Sequence, residues 1–252
     1  KSVEIFLLEK SQKLIKMQKS FIKNKNVVWI KNLNEVKNGP ILFFGNEFFD
    51  AIPIKQFKRI KNSLYEKCYS LDNNNKIKEI FKKASCSNIK EIKSYKTLKK
   101  LKFIEFPKLG FKNLEKIVKK IDKLKGCILM IDYGYLKPKN QNTLQSVMKH
   151  EKNKLLKNLG KADITAHVNF TLLNEFFLKK GLKIKKIISQ GDFLETMGIL
   201  ERAKILAEKM KFTEQSDLYL RLQRLISPRF MGDLFKVILA YKFKKNNFAG
   251  FK

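Results

Sequence analysis

Apolar residues along the 252-residue chain fall into short unbroken runs alternating with helically spaced sets. Residues 3–8 read as a strand ending at Glu9. Over 11–22, Leu14, Ile15, Gln18, Phe21 and Ile22 recur at helical spacing. Val27–Ile30 is a second β-type run, and Leu33, Glu35 and Val36 lead to the turn signal Gly39-Pro40. Ile41, Leu42, Phe43 and Phe44 then come without alternation, which predicts a strand buried on both faces in the middle of a parallel sheet. Strand, helix, strand, loop and strand in the first fifty residues predict a parallel α/β architecture.

The pattern changes at residue 54. Residues 54–60 and 64–71 predict a hairpin around Lys61-Asn62-Ser63, then a turn at Asp72-Asn73-Asn74-Asn75. Dense lysine obscures the pattern from there to Glu105 and Pro107, and 54–104 is expected to be an insertion after the central strand. Leu114, Ile117, Val118 and Ile121 mark an amphipathic helix over 112–124, with Gly126 as its C-terminal glycine. Residues 127–131 form another continuous apolar strand, which Asp132-Tyr133-Gly134-Tyr135 leaves. Residues 137–161, with His150, read as a loop. Next come a helix over 172–180, a strand over 182–189, a helix begun by Gln190-Gly191-Asp192-Phe193, and helices over 199–210 and 214–226. Ser227-Pro228 breaks the last of them, and 235–243 is expected to form an antiparallel edge strand. The expected layout is one domain over 1–252, with a helical insertion at 198–230.

Charge alters this picture less than its size suggests. The chain carries 55 Lys and Arg against 23 Asp and Glu, a net charge of +32. Only Arg59, Arg202, Arg221, Arg224 and Arg229 are arginines, the residue favoured for bidentate phosphate and base contacts. The lysines are spread evenly, which argues against a specific nucleic-acid partner. Cys68, Cys86 and Cys127 are isolated, and His150 and His167 lack metal-ligand spacing, so neither a disulfide framework nor a zinc site is expected. No apolar run reaches membrane-spanning length.

Candidate chemistry lies at the strand ends. Asn46, Glu47 and Asp50 come directly after the 41–44 strand, where open α/β sheets bind ligands. Asp132 and Tyr133 leave the next buried strand in the same way. Glu9, at the end of the first strand, suits a pair of ribose hydroxyls, of a nicotinamide cofactor or of S-adenosylmethionine alike. Helix capping and turn formation are the plain alternatives for Glu9, Asp50 and Asp132. His167 reads as a packed histidine or a base. There is no G-x-G-x-x-G sequence in the chain.

In combination these segments resemble the MidA-like methyltransferases. E-I-F-L-L-E-K-S-Q-K-L-I-K-M-Q from Glu4, N-E-F-F-D-A-I-P from Asn46, I-D-Y-G-Y from Ile131, T-L-Q from Thr143 and A-D-I-T-A-H-V-N-F from Ala162 match in order. S-Q-G-D-F-L-E-T-M-G-I from Ser189 and M-G-D-L-F-K-V from Met231 complete the series. Asn142 stands where the family usually has Gly, and Asn169 where Asp is usual.

The resemblance implies a class I methyltransferase: a Rossmann-like sheet, mostly parallel with an antiparallel last strand. The family's first strand and glycine-rich loop are expected upstream of Lys1. It implies S-adenosyl-L-methionine as cofactor, with Glu9 on the ribose, Asn32 and Leu33 near the adenine, and Asn46 and Glu47 lining the methyl-transfer gap. Glu47, Asp50 and Asn46 become the catalytic candidates, and Asp132, Tyr133 and His167 the substrate wall. The implied activity is arginine methylation of a respiratory complex I subunit, in the bacterial cytoplasm or the mitochondrial matrix, with a homodimer as a further expectation. A non-catalytic assembly factor on the same fold, and a basic nucleic-acid-binding protein, are the rival readings.

Overall fold

The computed structural model describes residues 3–149, 151–244 and 247–251; His150 of the expected loop lies outside them. The chain begins with β1 (Ile5–Leu8), α1 (Gln12–Phe21) and β2 (Val27–Ile30). Ser11 caps α1 by accepting the Leu14 N–H on its hydroxyl oxygen. β1 and β2 pair in parallel, Ile5 opposite Val27 and Leu8 opposite Ile30, as a strand–helix–strand unit requires.

β3 (Ile41–Asn46) leads into β4 (Lys55–Ile60), β5 (Ser63–Leu71) and β6 (Ile77–Lys83). The expected hairpin is β4 and β5, turning between Ile60 and Ser63. Lysines hide β6 in the sequence, as they do α2 (Cys86–Lys93), while β7 (Phe103–Phe106) is only four residues long. β7 pairs with the free edge of β4, closing a four-stranded antiparallel sheet ordered β6-β5-β4-β7.

α3 (Lys108–Leu124) starts four residues earlier than its apolar spacing suggests, directly after Pro107, and buries Phe111, Leu114, Ile117, Val118 and Ile121. β8 (Gly126–Tyr135) is next, so Asp132 to Tyr135 belong to the strand rather than leaving it. Gly126 is needed for close approach: a Cβ there would meet the Ile41 carbonyl oxygen at 1.9 Å. Within the expected loop over 137–161 lie β9 (Gln145–Met148) and β10 (Glu151–Asn153), and β11 (Asp163–Thr165) pairs with the other side of β9.

The remainder is β12 (Val168–Asn169), α4 (Phe170–Lys179), β13 (Lys183–Ile184), β14 (Ile188–Ser189), α5 (Gln190–Thr196), α6 (Ile199–Ala207), α7 (Phe212–Ile226), α8 (Met231–Leu234) and β15 (Phe235–Tyr241). The strand expected over 182–189 is thus two short pieces with a break between them. β8 lies at the centre of the main sheet. β3 pairs with it in parallel, from Ile41 opposite Gly126 to Asn46 opposite Ile131. β15 pairs with it antiparallel on the other side. β13 and β14 cover the far edge of β15. β15 is therefore interior, with all seven residues buried, and not the edge strand expected from its place in the chain. The sheet is mixed: β3 and β12 run parallel to β8, and the last strand, β15, runs antiparallel to it.

Successive residues of β8 and β15 face opposite layers, as strand geometry dictates. Ile128, Met130, Ile238 and Ala240 join the core made by α3 and α4, where Phe111 stacks on Phe176 at 4.4 Å between ring centroids. Ile131, Val237, Leu239 and Tyr241 face a second core with Phe193 and Phe251. β3 behaves differently. Phe43 and Ile41 pack on the first core, but Leu42 and Phe44 are 62% and 57% exposed. The unbroken apolar run does not give a strand buried on both faces, because among the described residues β3 pairs only with β8 and its other face carries no covering layer.

Candidate active site

β3 ends at Asn46, opposite Ile131 of β8, and a carboxylate on the next residue of β8 organises the turn beyond β3. Asp132 is 1% exposed. Its Oδ2 accepts the N–H of Phe49 at 2.9 Å and that of Asp50 at 3.2 Å, and its Oδ1 accepts the N–H of Tyr133 at 2.9 Å. The Glu47 N–H donates to the Ile131 carbonyl at 3.0 Å, and Glu47 adopts a left-handed φ of 46°. The turn carrying Glu47 and Asp50 is thereby tied to β8 at both ends. Burial, and next the nearby Asp50 carboxylate, push Asp132 up to about 7, against the pull of the three N–H donors.

Asp50 is also buried. Tyr133 donates its hydroxyl to Asp50 Oδ2 at 2.5 Å, and the Asp50 carbonyl accepts the Ala166 N–H at 3.1 Å. Asp50 Oδ1 is fully buried and has no hydrogen-bond partner among the described residues. Burial, then the bond to Asp50, raise the Tyr133 hydroxyl above its usual range, so it stays protonated and donates. The Tyr133 ring meets His167 edge to face at 5.3 Å and Phe235 at 5.5 Å. Burial pushes His167 down, which favours the neutral imidazole; Glu105 opposes this weakly.

A second polar cluster supports this wall from behind. Glu105 Oε1 accepts from Gln56 Nε2 at 2.8 Å and from the Thr143 N–H at 3.0 Å, while Oε2 accepts the Thr143 hydroxyl at 2.5 Å. The Thr143 oxygen in turn accepts the His167 N–H at 3.1 Å. In the sequence Glu105 marks only the end of an insertion. The one signal that could have raised it is a carboxylate inside an apolar strand, Phe103–Phe106, together with the otherwise unexplained Thr-Leu-Gln motif. Both departures from the family pattern find work here. Asn142 Oδ1 accepts from Gln56 Nε2 at 2.7 Å, and Asn169 caps α4 by accepting the Leu172 N–H at 3.0 Å. Asn and Asp serve equally as N-caps.

Asn46, Glu47, Asp50, Asp132, Tyr133 and His167 therefore gather at one end of the main sheet. Glu9 and Asn32 lie together at the matching end of the β1–β2 pair. Glu9 Oε1 accepts the Ser11 N–H at 2.8 Å, and among the described residues no bond is made to Oε2. Asn32 caps the turn at Leu33, accepting the Asn34 N–H at 2.9 Å. Leu33 packs against the main core. Among the described residues no ladder joins β1 to β3, and no group of three or more His, Cys, Asp or Glu gathers to hold a metal.

Polar side chains beyond the carboxyl ends of parallel strands, on a sheet with an antiparallel strand beside its central one, define a Rossmann-like α/β protein of the kind that binds ligands at that rim. The chain belongs to the family described as "Putative S-adenosyl-L-methionine-dependent methyltransferase", whose profile matches residues 1–188. It is 28% identical over 211 residues to the mitochondrial protein arginine methyltransferase NDUFAF7 of Xenopus laevis, covering 83% of this chain and 48% of that protein. The Caenorhabditis elegans homologue is 26% identical over 257 residues, covering 93% and 59%. The chain thus spans about half the length of these relatives. Its fold matches a Burkholderia thailandensis protein crystallised with S-adenosyl-homocysteine, at a TM-score of 0.79 and 21% identity, covering 98% of this chain and 66% of that one.

Proposed function

We propose that the protein methylates an arginine nitrogen of a protein substrate, using S-adenosyl-L-methionine, and that this substrate is a respiratory complex I subunit. The compartment we infer is the mitochondrial matrix for a eukaryotic source and the cytoplasm for a bacterial one. The observation that carries the reading is Asp50 Oδ1, a buried carboxylate oxygen with no donor among the described residues. Such an oxygen has lost its water without compensation. A guanidinium brings the missing donors in a planar fork that matches a carboxylate.

The strand-end residues fit the cofactor's polar parts. Glu9 keeps Oε2 for the ribose, Asn32 and Leu33 end β2 beside the adenine, and Asn46 ends β3. When bound, S-adenosyl-L-methionine supplies an electrophilic methyl group on a sulfonium sulfur. The work left to the chain is to orient the acceptor nitrogen and exclude water around it. Asp50 holds the guanidinium, and Tyr133 holds Asp50. Asp132 acts through the turn, fixing the backbone that aims both Asp50 and Glu47. The exposed Glu47 carboxylate takes the proton that leaves the nitrogen. Tyr133 and His167 close the wall.

Calorimetric titration of S-adenosyl-L-homocysteine into the full-length protein, together with transfer of labelled methyl groups to complex I subunits, tests this. Glu9→Ala weakens binding by about tenfold, the value of a charged hydrogen bond. Asp50→Asn leaves binding intact and removes transfer. No binding, or transfer unaffected by Asp50→Asn, overturns the proposal.

A further inference from the structure

Glu105 is held more firmly than the end of an insertion requires. It sits on β7 directly opposite Gln56 of β4. Its two oxygens are taken by neutral donors: the Gln56 amide, the Thr143 N–H and the Thr143 hydroxyl. Among the described residues it forms no ion pair, in a chain rich in lysine. A carboxylate satisfied in this way grips its donors more strongly than a neutral acceptor does.

Thr143 passes that grip on. Its hydroxyl hydrogen goes to Glu105 Oε2 at 2.5 Å, which leaves a lone pair for the His167 N–H at 3.1 Å. His167 belongs to a short strap, residues 165–168, that meets the acceptor wall or its strand at every position. The Thr165 hydroxyl reaches the Tyr133 hydroxyl. The Ala166 N–H donates to the Asp50 carbonyl at 3.1 Å. The His167 ring meets the Tyr133 ring at 5.3 Å. Val168 pairs with Gly134 of β8, where a Cβ would come within 2.1 Å of the Val168 carbonyl oxygen. The strap is thus tied to β8 at one end, and at the other to β9, where Thr165 pairs with Gln145. Glu105, through Thr143, holds its middle.

We propose that Glu105 is a positioning residue for methyl transfer: acting through Thr143, it sets the strap that aims Asp50 and Tyr133 at the acceptor nitrogen. The inserted sheet is then part of the active site rather than an appendage to it. The inference rests on the acceptor role given above to Asp50. Fastening the insertion alone requires less. The bonds from Gln56 and from the Thr143 N–H both end on Oε1, and one amide oxygen can accept both. The second carboxylate oxygen serves the Thr143 hydroxyl, and through it His167.

Glu105→Gln therefore separates the two roles. Its amide oxygen keeps the bonds of Oε1, while its NH2 group faces the Thr143 oxygen, and the hydroxyl hydrogen loses the carboxylate that draws it away from the His167 N–H. Thr143→Val breaks the same relay at its other member and keeps the backbone N–H. Hydrogen exchange of the full-length protein, read on peptides covering 163–169, tests the positioning without turnover. Each variant is expected to speed exchange there about tenfold and to leave peptides of the β1–β2 unit unchanged. In methyl transfer to complex I subunits, each lowers kcat by about tenfold or more with the KM for S-adenosyl-L-methionine unchanged. The double variant is no worse than either single one, because both break one relay. Thr143→Ser, which keeps the hydroxyl, recovers what Thr143→Val loses. Unchanged exchange at 163–169 in both variants overturns the proposal, as does exchange raised across the whole chain in both, or wild-type transfer that neither variant slows. A wild type that transfers no methyl group fails the methyltransferase reading itself. The exchange measurement then decides alone whether Glu105 sets the strap, faster exchange supporting this and unchanged exchange overturning it.

Discussion

Asp132 Oδ2 accepts the backbone N–H of Asp50 at 3.2 Å, so a carboxyl within one strand fixes the backbone carrying the carboxyl beyond its neighbour. The two acids are 82 positions apart in sequence and answer to one another twice: through this bond, and through the charge that raises Asp132. Asp132 sets the position of Asp50, and the Asp50 carboxylate adds to the burial that raises Asp132.

Asp132→Asn breaks this arrangement while keeping its shape. An amide has one acceptor oxygen where the carboxylate has two, so one of the N–H groups of Phe49, Asp50 or Tyr133 meets a donor instead of an acceptor. A buried unsatisfied N–H costs about 1–3 kcal/mol. Urea unfolding is expected to show a loss of that size, and methyl transfer, which depends on Asp50 and Glu47 being aimed, falls further than cofactor binding does.

The same carboxyl gives a pH dependence of defined sign. Its ordinary value is 3.8 and burial raises it to about 7. Between these values the folded protein holds a proton that the unfolded chain releases. Stability from this group is therefore full below about 4 and declines as pH rises to about 7. Urea midpoints at pH 5 and pH 8 are expected to differ more for the wild type than for Asp132→Asn, with the wild type favoured at pH 5. An equal difference in the two proteins would remove Asp132 as the source.

Much of this was legible in sequence. The 41–53 motif marked Asn46, Glu47 and Asp50 because polar and acidic groups directly follow an apolar run, with helix capping the plain alternative until the other segments stood beside it, and Asp132 and Tyr133 stood in the same relation to their strand. The sequence could not show which acid points inward. Asp132 lies under the turn and Glu47 outside it because of where β3 and β8 sit relative to one another, and that is a tertiary fact. β6 escaped because its lysines break the alternation that marks a half-buried strand, and β7, Phe103-Ile104-Glu105-Phe106, because four residues are too few to show a period. β13 and β14, two residues each, are too short for any period to show, so β15 read as an edge.

Asn169 offers a test of a family departure. It caps α4 with its side-chain oxygen, a role in which Asn and Asp rank together. Asn169→Asp is expected to leave the unfolding midpoint nearly unchanged. Asn169→Ala removes the cap and costs about 1 kcal/mol by the same measurement. Equal losses in both variants would mean that the Asn169 amide group, which also reaches Tyr135, matters more than the cap.

The two faces of β3 predict opposite responses to mutation, although the sequence Ile41-Leu42-Phe43-Phe44 gives no sign of it. Phe43 packs on the main core and meets Phe48 edge to face at 5.7 Å, so Phe43→Ala removes apolar contacts and costs about 2 kcal/mol or more. Phe44, one residue on, points to the uncovered side and is 57% exposed. Phe44→Ser is expected to change stability by no more than about 0.5 kcal/mol, as exposed substitutions do. It should also reduce aggregation, since a strand edge with large exposed apolar side chains invites pairing with other chains. Urea unfolding separates the two effects on stability, and light scattering on warming reads the aggregation. Equal destabilisation by both substitutions would show that the second face of β3 is covered in solution.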